Sequence, residues 1–72
     1  MEKYVTKLRA SFIEQVKSRA AASDLSTNRL ADFSGISRSH LSEILNGKAS
    51  PTLDKIAAIA QALKCEPNEL LK

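Results

Sequence analysis

The first twenty residues carry apolar side chains at steps of three and four positions. The repeating set is Val5, Leu8, Phe12, Val16 and Ala20. Polar and charged residues occupy most positions between them, which is the pattern of a helix that buries one face. Ser23 and Asp24 interrupt this pattern, so we predict a long first helix that ends near Ala22.

Two shorter helices are predicted between residues 26 and 47. Ser26 is of a type that caps helix N-termini, and Gly35 is of the type that most often ends a helix. Ser37 is a second candidate N-cap, and the helix that it opens closes at Asn46–Gly47. The two helices are therefore joined by a turn of only three or four residues.

A fourth helix follows Ser50–Pro51–Thr52, where proline suits the first helical turn. Its apolar stripe is Leu53, Ile56, Ala57, Ile59, Ala60 and Leu63. A last short helix begins around Glu66–Pro67 and carries Leu70 and Leu71 as packing residues. No segment alternates in the manner of a strand, so we predict a compact all-α fold of five helices.

Length and cysteine content limit how this fold can be stabilised. The chain has 72 residues, which we take as one domain over 1–72, and a core of that size is only marginally stable. Cys65 is the single cysteine and His40 the single histidine, so neither a disulfide nor a four-ligand zinc site can form within the chain. We therefore expect no metal and no cofactor, and stability must come from packing or from a second subunit.

Charge and hydropathy narrow the class of protein. No apolar run approaches the ~20 residues that cross a bilayer, and the N-terminus lacks the apolar region of a signal peptide. We expect a cytoplasmic protein with no membrane partner. The net charge of +3 is compatible with a polyanionic partner, although a solvated helix face explains the basic residues of the first helix equally well.

Residues 27–46 form a helix, a tight turn and a second helix. This is the arrangement of a helix-turn-helix, in which the second helix enters the DNA major groove. When that second helix is projected at ~100° per residue, one side is apolar and the other polar. The apolar side holds Leu41, Ile44 and Leu45, whereas the polar side holds Ser39, Ser42, Glu43 and Asn46, flanked by Arg38 and His40.

The polar side has two interpretations that the residues alone leave open. Arginine binds guanine through two hydrogen bonds, serine pairs with several base edges, and glutamate accepts from cytosine N4, so this face could read DNA. The same residue types are also those of an ordinary solvated helix surface.

Residues 25–71, "LSTNRLADFSGISRSHLSEILNGKASPTLDKIAAIAQALKCEPNELL", resemble the Cro and lambda-repressor-like (XRE) helix-turn-helix family. The resemblance implies a five-helix lambda-repressor-like domain that binds double-stranded operator DNA. Its function would be sequence-specific transcriptional regulation of prokaryotic or phage type, as a repressor. It also implies a homodimer on a near-palindromic site, with two recognition helices in successive major grooves.

The family pattern assigns roles to positions of this chain. The base-reading positions are Arg38, Ser39, Ser42 and Glu43. The phosphate-contacting positions are Ser26, Thr27, Asn28, Ser37, Asn46, Lys48 and Ser50.

Two departures from the family pattern lie in the packing. Many members pair an arginine of the first helix with a glutamate of the third, and these places here hold Ala20 and Leu45. An apolar contact would replace the ion pair, which is often neutral or stabilising. Ser34 stands where an apolar residue is usual, which would slightly weaken the contact between the two helices of the motif.

Two other classes of function are alternatives to DNA binding. An enzyme is disfavoured because the chain offers no phosphate-binding glycine loop, no paired carboxylates and no nucleophile–base pair. The stronger alternative is a protein-interaction module, such as an antitoxin or a regulator controlled by a partner. A dimer contact could use either the C-terminal leucines or the long first helix.

Overall fold

A computed structural model describes residues 2–71, and these form four α-helices and one 3₁₀ helix. The α-helices are α1 (Glu2–Ala22), α2 (Thr27–Ser34), α3 (Arg38–Leu45) and α4 (Leu53–Ala62), and the 3₁₀ helix is Pro67–Leu71. The all-α prediction is confirmed, with no strand among the described residues. The fifth helix differs from the expectation because its five residues form the tighter 3₁₀ turn that is common in such short pieces.

Side-chain caps set where three of the helices begin. Ser26 and Ser37 accept hydrogen bonds of 3.2 Å from the backbone N–H groups three residues ahead, as the sequence predicts for N-caps. Thr52 does the same for α4, also at 3.2 Å. The expectation that Pro51 lies in the first turn of α4 is wrong by two positions, because α4 begins at Leu53, Thr52 is its N-cap and Pro51 precedes the cap.

A left-handed glycine ends α2 and turns the chain toward α3. Gly35 has a φ of +74°, and its backbone N–H donates to the carbonyl of Ala31 at 2.9 Å. Since glycine lacks a Cβ, it adopts this conformation without steric cost. The tight connection between α2 and α3 therefore depends on this residue.

We expect Gly35→Ala to lower the free energy of unfolding by about 1–2 kcal/mol, the cost of a left-handed conformation for a residue with a Cβ. An added Cβ would meet no atom within 4 Å, so the cost is one of backbone conformation alone. Urea unfolding measures the change. Gly35→Asn is the matched control and should cost less, because asparagine tolerates positive φ. Equal stability of the alanine variant and the unsubstituted protein would contradict this explanation.

All four α-helices and the 3₁₀ helix contribute to one buried cluster. Its members are Phe12, Val16, Ala20, Leu30, Ala31, Ile36, Leu41, Ile44, Leu45, Ile56, Ile59, Ala60, Leu63 and Leu70. The predicted apolar side of α3 is confirmed, because all three of its residues belong to the cluster. α2 packs against α3 and α4, while α1 packs against α3 and the 3₁₀ helix. The apolar side of α3 is thus packed against neighbouring helices, and its polar side faces solvent.

The structure places both packing departures from the family pattern. Ala20 and Leu45 are both buried within the cluster, so apolar packing fills the place of the family's ion pair. Ser34 is only half-buried, and its hydroxyl donates to the carbonyl of Ala31 at 3.2 Å. The hydroxyl is satisfied inside its own helix, which limits the cost of a polar residue there.

Two apolar stripes extend past the core, contrary to the sequence-based prediction that they are buried. Val5 and Leu8 are about half exposed, and Leu53 at the start of α4 is 81% exposed. These residues lie in the first two turns of α1 and the first turn of α4, ahead of the buried Phe12 and Ile56 of the same helices. Within residues 2–71, no helix is long and apolar enough to cross a membrane.

Candidate nucleic-acid interface

The polar side of α3 carries the four predicted base-reading residues together on the surface. Arg38, Ser39, Ser42 and Glu43 are all exposed, on a helix whose opposite side is fully buried. A rigid core therefore presents one short row of donors and acceptors to the outside. Such a row, fixed by a buried inner face, is what a helix needs in order to read base edges in a major groove.

Asp32 of α2 lies beside Arg38 at the start of α3. The guanidinium Nη2 is 3.5 Å from Asp32 Oδ2, and both side chains are more than 60% exposed. An exposed pair of this kind contributes only ~0–1 kcal/mol, so Arg38 can exchange it for a DNA contact at small cost. Sequence analysis missed Asp32, because the pair spans the turn between two helices and follows no helical spacing.

Two further contacts order the remaining polar side chains of α3. Asn46 Nδ2 donates to Ser42 Oγ at 3.3 Å, and His40 Nδ1 lies 4.0 Å from Glu43 Oε1. His40 stands at the edge of the face, as predicted, beside Glu43, which is a proposed base-reading residue. These contacts leave the carboxylate and hydroxyl oxygens with further capacity for hydrogen bonds.

The N-termini of α2 and α3 carry four of the predicted phosphate-contacting residues. Ser26, Thr27 and Asn28 surround the start of α2, Ser37 caps α3, and all four are exposed. Unpaired backbone N–H groups and the helix dipole make such ends favourable for anions. The two serines already accept a backbone hydrogen bond as caps, and each hydroxyl keeps its proton to donate to a phosphate.

The loop after α3 holds the other three predicted phosphate-contacting residues. Asn46, Lys48 and Ser50 are exposed in the segment between α3 and α4. The loop turns at Gly47, whose φ is +76°, and is tied back by the Lys48 N–H, which donates to the carbonyl of Glu43 at 2.8 Å. The backbone of Lys48 is thus fixed, while its ammonium group remains free to reach an anion.

Arg9 of α1 reaches this loop and was missed by sequence analysis. One guanidinium Nη2 donates to Ser50 Oγ, and the Nε of Arg9 is buried without a hydrogen-bond partner. The two residues are 41 positions apart, so no local spacing could have predicted the contact. Arg9 adds a positive charge beside the loop and ties it to the first helix.

The single cysteine lies away from this face. Cys65 follows the end of α4 and is half-buried. Burial raises the pKa of its thiol, outweighing the opposing effect of the nearby Arg19 guanidinium. The group is therefore a protonated thiol at neutral pH, which is the less nucleophilic form.

Comparison with known proteins places this arrangement in a family. A helix-turn-helix family model matches residues 16–70. Among solved structures, the restriction-modification controller protein C.AhdI from Aeromonas hydrophila is similar, with 32% identity, a TM-score of 0.81, and coverage of 86% of this chain and 94% of that one. No curated protein matches the chain significantly. The chain thus belongs to the Cro and lambda-repressor-like helix-turn-helix family of DNA-binding transcription regulators.

Proposed function

We propose that this DNA-binding regulator is a sequence-specific repressor of prokaryotic or phage type, which acts in the cytoplasm as a single 1–72 domain. The observation that carries the proposal is the polar face of α3, held against a fully buried inner side. The same side chains would read DNA with no catalytic step, so the chain acts by binding alone. The similar protein is a controller of a restriction-modification system, and we propose that this chain likewise controls transcription.

In this proposal α3 lies in the major groove and the surrounding residues hold it there. Arg38 donates to guanine, Glu43 accepts from cytosine N4, and the hydroxyls of Ser39 and Ser42 complete the direct reading. The residues around the two helix N-termini and in the loop after α3 contact phosphates, which sets position and orientation. As a two-fold dimer, the protein would place its two α3 helices ~34 Å apart on a near-palindromic operator.

Selection from a random pool of double-stranded DNA tests this function. Recovered sites would then be titrated at two salt concentrations. We expect an enriched inverted repeat whose binding weakens steeply as salt rises, because several phosphates release counterions on contact. Failure to enrich any sequence, with only weak binding to all DNA, would contradict sequence-specific binding and favour the protein-interaction alternative.

We expect Lys48→Ala to weaken binding to every DNA sequence by a similar factor. Its exposed ammonium group would neutralise one phosphate, so its loss should flatten the dependence of log affinity on log salt by ~1. Titrations of operator and unrelated DNA over a salt series measure both quantities. Lys64→Asn removes the same charge beyond the far end of α4, at a residue with φ of +58° that asparagine tolerates, and is the matched control. An unchanged salt slope would remove Lys48 from the interface.

A further inference from the structure

The Arg9 side chain extends from the first half of α1 to the loop between α3 and α4. The helix-turn-helix family model begins at residue 16, so Arg9 lies outside the matched segment. Its guanidinium Nη2 nevertheless donates to Ser50 Oγ, in the loop that carries three of the proposed phosphate-contacting residues. A residue outside the family pattern therefore contacts the proposed DNA interface.

α1 carries two half-buried arginines, and among residues 2–71 only one of them has a carboxylate partner. Arg19 Nη2 lies 3.7 Å from Glu69 Oε2. The ion pairs within the same residues do not include Arg9, whose hydrogen-bond partner is the neutral Ser50 hydroxyl. The Nε atoms of both arginines are buried without a hydrogen-bond partner. Because burial penalises a charge that lacks a counter-ion, Arg9 is the arginine of α1 that gains most from an incoming anion.

The surroundings of the Arg9–Ser50 contact favour an anion. The two residues share a groove of about 130 Å³, and every other side chain that lines it is apolar. Apolar walls lower the local dielectric constant, so the attraction between the guanidinium and an anion is stronger there than on an open surface. Ser50 is exposed whereas Arg9 is half-buried, so an anion reaches the pair from the side of Ser50.

The hydrogen bond from Arg9 also prepares the Ser50 hydroxyl as a donor. Because Ser50 Oγ accepts from the guanidinium, its own proton remains available to a second acceptor. A hydroxyl that accepts from a charged donor is polarised, which strengthens the hydrogen bond that it donates. The guanidinium keeps further Nη–H donors for the oxygen atoms of the same anion.

We propose that Arg9 and Ser50 together form a site for one phosphate of the DNA backbone. The Ser50 hydroxyl donates to the phosphate, while the Arg9 guanidinium supplies the positive charge and holds the hydroxyl in place. This inference rests on the proposed function, because it adds α1 to the surface that contacts DNA. The contacted backbone then extends from the loop after α3 to the first half of α1.

A purely structural role for the same hydrogen bond leads to a different expectation. If Arg9 only held the loop in place, its loss would lower the affinity for DNA without changing the number of counterions that DNA releases. In the proposed site, loss of Arg9 removes one positive charge from the interface. The slope of log affinity against log salt should then flatten by ~1. The salt slope therefore distinguishes the two roles.

Fluorescence anisotropy titrations of a duplex of unrelated sequence, over a salt series, test the site. Arg9→Gln should weaken binding about tenfold and flatten the salt slope by ~1. Arg9→Lys keeps the charge and should retain most of the slope. Arg19→Gln is the matched control, since it removes the same charge from a half-buried arginine of the same helix that already pairs with Glu69. It should change neither quantity, and thermal melting confirms that each variant is folded.

Ser50→Ala measures whether the two residues act on one phosphate. Alone, it should weaken binding several-fold and leave the salt slope unchanged, because serine carries no charge. Combined with Arg9→Gln, the loss of affinity should be smaller than the product of the two single losses, since residues that share one partner are not independent. Losses that simply multiply would contradict a shared site.

A salt slope of Arg9→Gln equal to that of the unsubstituted protein would overturn the proposal, even if the affinity falls. Absence of binding to any duplex would overturn it as well. The measurement uses unrelated DNA, so a failure of α3 to read sequence would leave its result unaffected. An enriched operator together with an unchanged Arg9→Gln slope would instead overturn the phosphate site alone, and the two failures are distinguishable.

Discussion

Replacing Arg38 with alanine is expected to weaken binding to the operator by about 1–3 kcal/mol and to relax the preference at one base pair. Arg38 begins α3 with an exposed guanidinium held only by a weak pair to Asp32. It is the one charged donor among the four proposed base-reading residues, and a two-bond contact with guanine discriminates strongly against other bases. Titrations against operators that vary one base pair at a time measure both effects.

Two variants distinguish a base-specific contact of Arg38 from non-specific electrostatic affinity for DNA. Arg38→Lys keeps the charge and loses the planar pair of donors, so it should lose specificity at that base pair and retain most non-specific affinity. Asp32→Ala removes the partner and leaves Arg38 in place, so specificity should be retained. Equal weakening of Arg38→Ala on every sequence would mean that Arg38 contacts a phosphate and reads no base.

Leu41→Ala is expected to produce a large loss of stability, about 2–5 kcal/mol, because it removes buried methyl groups and leaves a cavity. Leu41 is fully buried on the inner side of α3. Total stability for 72 residues is only ~4–11 kcal/mol, so the loss is a large share of it. Leu41 belongs to α3, so the substitution removes core packing from the helix that is proposed to read DNA.

Chemical denaturation and thermal melting of Leu41→Ala measure this effect, and the melting midpoint should fall by roughly 10 °C or more. Ser39→Ala is the matched control, since it changes the exposed side of the same helix and should alter stability by less than about 0.5 kcal/mol. A small loss for Leu41→Ala would show that α3 is not anchored by this side chain.

The helices were predictable because their signals are local. Ser26 and Ser37 cap the helices that they were predicted to cap, and Gly35 ends α2 with the positive φ that its type favours. The division of α3 into buried and exposed sides follows from helical geometry alone. The exposed residues of the proposed interface were therefore predictable, because most of them lie on one short helix and in the turns next to it.

Contacts between distant segments were not predictable. Arg9 and Ser50 meet only because α1 crosses the loop after α3, and Asp32 meets Arg38 across the angle between two helices. Exposure of Leu53 was missed for a related reason. An apolar stripe shows which face of a helix is apolar, but it cannot show where the neighbouring elements stop covering that face.

The most direct test of the central claim, that the polar face of α3 reads DNA sequence, is an amide NMR titration with two duplexes. One duplex carries the selected operator, and the other has the same composition in scrambled order. We predict that both shift the phosphate-contacting residues around the helix N-termini and the loop after α3, whereas only the operator produces large shifts at Arg38, Ser39, Ser42 and Glu43. Identical shifts of these four residues with both duplexes, or none with either, would contradict the claim.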